Sequence, residues 1–111
     1  MSTSDFKDMC GETIVEAEKF IAEWMVGEKL LWKDIPMYHQ DFYHLSVVIE
    51  VLGKLGPSQR KEYNDTLIRL VNKDATNLDA PVCMFRAINA SCLYRLCAAF
   101  KVLKEQGPRN E

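Results

Sequence analysis

Apolar side chains recur at every third or fourth position along most of this sequence, and that spacing constrains the fold more than any other feature. It is the spacing of one face of an α-helix, whereas a half-buried strand alternates at every second position. Four stretches carry the pattern: residues 4–26, 38–55, 58–73 and 80–106. The sequence therefore predicts a single all-α domain over residues 1–111, made of four helices that pack around the fourth, a long C-terminal helix.

The first predicted helix contains a glycine in its interior. Gly11 costs roughly 1 kcal/mol relative to alanine and marks a point where the helix could end. The apolar face nevertheless continues in register on both sides of this glycine. We therefore predict one helix over residues 4–26, with Ser4 as its N-cap and Gly27 as its C-terminal stop.

The second predicted helix, residues 38–55, includes a β-branched run at residues 47–49 that is also compatible with a strand. The surrounding helical spacing favours a helix. Its predicted core stripe consists of Phe42, Leu45, Ile49 and Leu52. The third predicted helix, residues 58–73, begins with Ser58 as its N-cap.

The fourth predicted helix, residues 80–106, has the widest apolar arc, about 220° at 100° per residue. Such a helix needs neighbours on several sides, so we expect it to be the centre of the fold or also to contact a second subunit in a homodimer. Asn89 falls inside this arc. A buried amide must be hydrogen-bonded, so Asn89 either fixes the register of a helix pair or bonds to a nearby loop or helix end.

Composition restricts the classes of function. The chain carries 14 basic and 16 acidic residues, a balance that does not require nucleic acid or a membrane surface as a partner. Its four cysteines include no CxxC pair and no zinc-ligand spacing. The N-terminus is polar, unlike a signal peptide, and no apolar run has the length of a membrane span. We therefore expect a cytoplasmic protein with reduced cysteines, no cofactor and no metal.

The connector between the first two predicted helices, residues 28–37, is unusually apolar. Trp32, Ile35 and Met37, together with the adjacent Tyr38, are large side chains of the kind that anchor protein interfaces. The connector either offers these side chains to a partner protein or folds over the core.

Acidic residues form a row along the first predicted helix. Residues 1–28 hold seven acids and two lysines, a net charge of −5. Asp5, Glu12, Glu16 and Glu23 lie within about 40° of one another at helical spacing. The row indicates a surface for a basic partner, in which Glu12, Glu16 and Glu23 make contact, or else an ordinary solvated face.

Two further clusters suggest other functions. Arg60, Lys61, Arg69 and Lys73 on and after the third predicted helix could contact nucleic-acid phosphates, or form a solvated face of mixed charge. His39, Tyr43, Ser46 and Glu50 line one strip of the second predicted helix. A histidine and a carboxylate on one strip could transfer protons, or the strip could be a polar boundary beside the core.

The sequence contains no recognisable catalytic or cofactor motif. We therefore expect a small non-enzymatic protein that binds and modulates another protein, as an adaptor or an inhibitor, including the kind that phages and mobile elements encode. A nucleic-acid-binding protein that uses the third predicted helix is the alternative. An enzyme that uses the His39–Glu50 strip is a third, less favoured expectation.

Overall fold

The computed structural model describes residues 3–73 and 79–107, and those ranges contain helices and no β-strand. Six α-helices follow one another within them: α1 (Thr3–Cys10), α2 (Ile14–Val26), α3 (Phe42–Leu55), α4 (Pro57–Val71), α5 (Ala80–Ile88) and α6 (Cys92–Gln106). A single 3₁₀ turn, Trp32–Asp34, lies between α2 and α3. The all-α prediction is confirmed. The four-helix arrangement is wrong, because the first and fourth predicted helices are each broken into two.

The first break is at Gly11. This residue has φ +87°, a left-handed conformation that glycine adopts without a steric penalty. Its N–H donates to the carbonyl of Lys7 and ends α1, and the Thr13 hydroxyl then accepts from the N–H of Glu16 and starts α2. The prediction of one helix over residues 4–26 is therefore wrong. The apolar register continues through the break because α1 and α2 both pack against α6.

The second break lies between Ile88 and Cys92. Asn89 occupies the C-cap of α5, where its side-chain amide donates to the carbonyl of Phe85 at 2.9 Å. Asn89 is exposed, so its predicted place in a buried arc is wrong. The side chain of Arg95 covers the junction by donating to the carbonyls of Ile88 and Ala90. The predicted long helix over residues 80–106 is therefore two helices. The apolar residues of the predicted arc are divided between α5 and α6.

The ends of α3 and α4 also differ from the predictions. Asp41 caps α3 by accepting from the N–H of His44, so the helix starts at Phe42 and not at residue 38. The side chain of Phe42 is 52% exposed, and it does not belong to the core stripe predicted for it. Pro57 is the first residue of α4 and Gly56 is its N-cap, which places Ser58 inside the first turn.

The core is organised around α6, which packs against α1, α2, α3 and α4. Seven of its fifteen residues are buried: Leu96, Cys97, Ala98, Ala99, Phe100, Val102 and Leu103. Three consecutive small side chains in this set let neighbouring helices approach closely. Large side chains from other helices fill the remaining space, including Phe6, Ile21, Leu45 and Leu52. Each fully buried one contributes roughly 1.5–3 kcal/mol. The central position predicted for residues 80–106 thus belongs to α6, while α5 packs mainly on α4.

Candidate protein-interaction surface

The connector, residues 28–37, is partly exposed and partly packed. Trp32 and Met37 are 56% and 53% exposed, whereas Ile35 is half-buried against the core. The adjacent Tyr38 is only 4% exposed, so its side chain is not part of an accessible surface. The ammonium of Lys19 lies 4.8 Å from the centre of the Trp32 ring. The connector therefore folds over the core in part, and a partner contact by Trp32 and Met37 stays a prediction.

Two glutamates of α2 hold the connector and the segment that follows it. Glu23 accepts a hydrogen bond from the N–H of Leu30 at 2.9 Å. Glu18 is buried, and its Oε2 accepts from the backbone N–H of His39 at 3.0 Å and from the ring Nδ1 of His39 at 2.7 Å. Burial and the nearby charge of Glu18 raise the pKa of Tyr38 to about 12. Glu23, predicted as a partner contact, thus serves an internal role.

The polar strip predicted on the second helix does not form as a unit. His39 precedes α3, and its ring is bonded to Glu18. Ser46 donates to the carbonyl of Tyr43, and Glu50 lies 3.4 Å from the ammonium of Lys54. The structure therefore gives His39 a carboxylate partner other than Glu50.

Sequence reasoning missed Glu18 as the partner of His39, although one signal was present. At 100° per residue, Glu18 falls within the apolar face of α2, between Ile14 and Ala22. A carboxylate at such a position must find hydrogen-bond donors when it is buried. The donors come from a residue 21 positions away, which helical spacing cannot identify.

The acidic row is divided by the break at Gly11. Asp5 lies on α1, Glu12 in the turn and Glu16 in the first turn of α2. Glu12 and Glu16 remain together, since a hydrogen bond and charge repulsion from Glu12 raise the pKa of Glu16. The Lys104 ammonium lies 3.9 Å from Glu12. Of the predicted row, Glu12 and Glu16 remain a pair, and the cation near them is Lys104.

The basic cluster is exposed and mixed with acids. Arg60, Lys61, Arg69 and Lys73 all have exposed side chains. Lys61 donates to Asp65 at 2.6 Å, and this hydrogen bond raises the pKa of Lys61. The charge of Arg69 also acts on Glu62, which is hydrogen-bonded to Glu105. This mixture is typical of a solvated helix face, and nucleic-acid binding stays a prediction.

An exposed apolar face lies on α5. Met84, Phe85 and Ile88 are 48%, 66% and 66% exposed. With Pro81, which is also exposed, they follow the i, i+3, i+4, i+7 spacing of one helical stripe. Ala87, which lies outside the stripe, is buried. This spacing is present in the sequence, where the stripe was predicted to be buried. Because the helix breaks at residues 89–91, the stripe is exposed instead.

Phe42 is connected to this stripe through Arg95. The Arg95 guanidinium lies 5.4 Å from the centre of the Phe42 ring and donates to the carbonyl of Ile88. Arg86 is exposed on α5 itself. We call Phe42, Pro81, Met84, Phe85 and Ile88 the α5 surface. It combines large apolar side chains with the Arg95 guanidinium at its edge.

Two open cavities lie elsewhere. One of about 520 Å³ lies at the ends of α2 and α6, where Trp24 Nε1 donates to the carbonyl of Gly107 at 2.8 Å. It is lined by Phe20, Glu23, Trp24, Gly27, Glu28, Lys29, Lys104 and Gly107. The other, about 500 Å³, adjoins the connector and includes His44, whose ring is bonded to Asp41 at 2.6 Å. Neither lining contains His39, so the buried Glu18–His39 pair does not face either cavity.

Within residues 3–73 and 79–107, no three His, Cys, Asp or Glu side chains are grouped closely enough to hold a metal ion. Over the same ranges, none of the helices has both the length and the hydrophobicity required to cross a bilayer.

Comparison with known proteins identifies no relative. No protein-family model matches the chain, no curated protein matches it, and no solved structure matches it. A functional inference therefore depends on the surfaces of the molecule itself.

Proposed function

We propose that this chain is a small non-enzymatic regulator, an adaptor or inhibitor, that binds another protein through the α5 surface. The observation that carries the proposal is the exposed apolar stripe formed by Met84, Phe85 and Ile88. Single exposed apolar side chains are normal, but a continuous stripe on one helix is typical of a binding surface.

The exposed fractions of the side chains determine how much binding free energy this surface can supply. Phe85 and Ile88 each leave two-thirds of the side chain in water. Full burial of such a side chain stabilises a complex by roughly 1.5–3 kcal/mol, so completing the burial of these two contributes about 1–2 kcal/mol each. A few such anchors, together with Phe42 beside them, supply most of the binding energy of an ordinary interface.

The partner's chemistry follows from the shape and charge of the surface. A stripe with i, i+3, i+4, i+7 spacing packs well against another helix. Arg95 at the edge favours acidic side chains on that helix. We therefore propose that the occupant is an amphipathic helix of another protein, with an apolar face and acidic flanks.

The alternatives have weaker support. A nucleic-acid partner would have to use the face of α4 on which Lys61 is paired with Asp65. An enzyme would have to use His39, whose Nδ1 is bonded to the buried Glu18 and whose residue lines neither cavity. A second copy of this chain is a possible occupant of the α5 surface, and the experiment below distinguishes it. A cytoplasmic location remains part of the proposal.

The proposal is tested by site-specific photo-crosslinking in the cells of origin. A photoreactive phenylalanine analogue is placed at Phe85, and separately at Trp32 and at Arg60. Each sample is prepared with and without nuclease. A protein crosslinked at Phe85 is then purified, and its dissociation constant is measured against the wild type, Ile88→Asp and Val15→Asp. Val15 is a matched control, because it is an exposed aliphatic residue on α2.

We expect a nuclease-resistant protein partner at Phe85, and affinity that falls at least tenfold in Ile88→Asp but not in Val15→Asp. Crosslinks only at Trp32 would move the docking site to the connector and overturn the α5 surface. Nuclease-sensitive crosslinks at Arg60 would favour the nucleic-acid alternative. Crosslinks only between copies of this chain, with a dimer in analytical ultracentrifugation that Ile88→Asp dissociates, would replace the helical partner with a second copy.

A further inference from the structure

Two aromatic side chains of α2, Phe20 and Trp24, line the open cavity at the ends of α2 and α6. They are one helical turn apart, so they lie on the same face of the helix. The Phe20 ring packs edge-on against Phe100, with the ring centres 5.3 Å apart. The indole N–H of Trp24 donates to the carbonyl of Gly107 at 2.8 Å. The cavity therefore has an aromatic wall whose two rings are already held in place.

The volume of this cavity, about 520 Å³, is that of a small-molecule site. Such sites measure roughly 300–1,000 Å³ and combine an apolar lining with a few polar groups that orient the ligand. Because the cavity is open to solvent, a ligand of this size can enter without a change of fold.

Charged side chains of both signs line the same cavity: Glu23, Glu28, Lys29 and Lys104. Glu23 is held against the connector, because its carboxylate accepts from the N–H of Leu30 at 2.9 Å. The other three charged side chains are exposed. Two carboxylates and two ammonium groups thus surround the aromatic wall, and their formal charges cancel.

These opposite charges do not neutralise one another directly. Over residues 3–73 and 79–107, neither Lys29 nor Lys104 forms an ion pair with Glu23 or Glu28. The Lys104 ammonium is instead 3.9 Å from Glu12, which is the outer limit of an ion pair. The cavity can therefore offer both a positive and a negative group to a ligand.

We propose that this cavity binds a free α-amino acid with an aromatic side chain, in its zwitterionic form. The ring of the ligand packs against Phe20 and Trp24, as aromatic rings do in protein interiors. Its carboxylate is attracted by the two lysines, and its ammonium group by the two glutamates.

A ligand with a single charge fits this lining less well. An aromatic carboxylate without an amino group would be attracted by the lysines, but its charge would also lie near two glutamates. An aromatic amine without a carboxylate has the same conflict with the lysines. Because like charges brought together oppose binding, the balanced lining favours a ligand that carries one charge of each sign.

The cavity is separate from the α5 surface. None of the residues that line it belongs to that surface, and α5 packs mainly on α4. The inference therefore goes beyond the proposed function and does not depend on it. Ile88→Asp, which should weaken binding of a partner protein, should leave binding of the amino acid unchanged.

The proposal is tested by NMR titration of the full-length, ¹⁵N-labelled protein with L-phenylalanine at millimolar concentrations. The chain has two tryptophans and so two indole N–H signals, and Trp32→Phe identifies the signal of Trp24. We expect L-phenylalanine to shift the Trp24 signal in a saturable manner and to leave that of Trp32 in place. The latter side chain lies on the connector, outside the cavity lining.

Three analogues test the chemistry of the ligand. 3-Phenylpropionate lacks the ammonium group, 2-phenylethylamine lacks the carboxylate, and L-alanine lacks the ring. Each should bind at least about fivefold more weakly than L-phenylalanine, because each loses one of the three contacts.

The double variant Glu28→Gln/Lys104→Gln tests the charged lining. Both side chains are exposed, so the fold should survive, and affinity for L-phenylalanine should fall about fivefold or more. Glu50→Gln/Lys54→Gln is the matched control, because it removes an exposed Glu–Lys pair on α3, and it should bind like the wild type.

Four results would overturn the proposal. They are no saturable shift of the Trp24 signal, equal binding of any of the three analogues, equal losses in the two double variants, and shifts confined to residues outside the cavity. The titrations of the unmodified protein decide the question even if a variant fails to fold.

Discussion

The buried carboxylate of Glu18 accepts two hydrogen bonds from His39, one from the backbone N–H and one from the ring, at 3.0 Å and 2.7 Å. This contact joins the middle of α2 to the segment just before α3. It fixes the direction from which the chain enters α3. Hydrogen bonds to an ionised group contribute about 1.5–3 kcal/mol, and a buried donor left without a partner costs a similar amount.

Glu18→Ala should therefore lower the free energy of unfolding by about 2–3 kcal/mol, because it leaves the His39 N–H without its acceptor. His39→Ala should cost about 1 kcal/mol, because the backbone bond survives. Urea unfolding measures both. Glu50→Ala is the control, since that side chain is exposed and should leave the midpoint nearly unchanged. Equal effects of Glu18→Ala and Glu50→Ala would contradict this role for Glu18.

Gly11→Ala should destabilise the protein by about 1–2 kcal/mol, because alanine resists the left-handed conformation at φ +87°. No other atom would obstruct the added methyl group, so the cost comes from the backbone alone. Gly53→Ala is the matched control. Gly53 lies within α3, and its new methyl group would meet the Arg60 stem at an ordinary 3.5 Å. That substitution should stabilise by about 0.5–1 kcal/mol. A stabilising Gly11→Ala would instead support one continuous helix over residues 4–26.

Arg95→Lys should destabilise the protein almost as much as Arg95→Ala. Each substitution should lower the free energy of unfolding by about 1–2 kcal/mol. The guanidinium donates to two carbonyls at the junction of α5 and α6 and lies over the Phe42 ring. A lysine ammonium cannot maintain this planar, forked arrangement. Thermal and urea unfolding of the two variants would provide the comparison. A lysine variant as stable as the wild type would show that charge alone is sufficient there.

Stability should fall steeply in alkali, because burial raises the pKa of both Tyr38 and Tyr63 to about 12. An exposed tyrosine in the unfolded chain titrates near 10. The folded state therefore holds these protons more tightly, and the resulting stabilisation is complete below about pH 10 and lost as the pH rises towards 12. The loss should be on the order of 2 kcal/mol per tyrosine.

Urea unfolding at several values between pH 8 and pH 12 tests this dependence. Tyr38→Phe and Tyr63→Phe remove the ionisable hydroxyls, and each should flatten part of the decline. Other groups also titrate in this range, so the difference between variant and wild type is the informative quantity. A decline that is unchanged in the double variant would exclude these two tyrosines as its cause.

Local chemistry explains which parts of the fold could be predicted from the sequence. Helical periodicity correctly indicated an all-α fold and a helix over most of residues 38–55, despite the β-branched run. The two helix breaks were harder to predict, because Gly11 and residues 89–91 interrupt the helices without interrupting the apolar pattern. Thr13 and Ser91, both residue types that begin helices, were the available signals.

The candidate sites depend on contacts between distant residues, and these were not predictable from spacing. His39 was assigned to a helical strip, but it meets Glu18 across the α2–α3 connection. Predicting the exposure of Trp32 and the burial of Tyr38 also requires knowledge of the path that the connector takes. The spacing of the α5 surface was visible in the sequence. Its exposure to solvent depends on the helix break at Asn89, which the sequence pattern did not reveal.

The peripheral position of α5 has a consequence for hydrogen exchange. Because α5 packs mainly on α4, its amides should exchange through local opening, while those of α6 should exchange only when the whole domain unfolds. The helix proposed to bind a partner should therefore open separately from the rest of the native state. A partner that binds it would slow exchange in α5 by a factor set by its affinity, while the amides of α6 would report the stability of the whole domain.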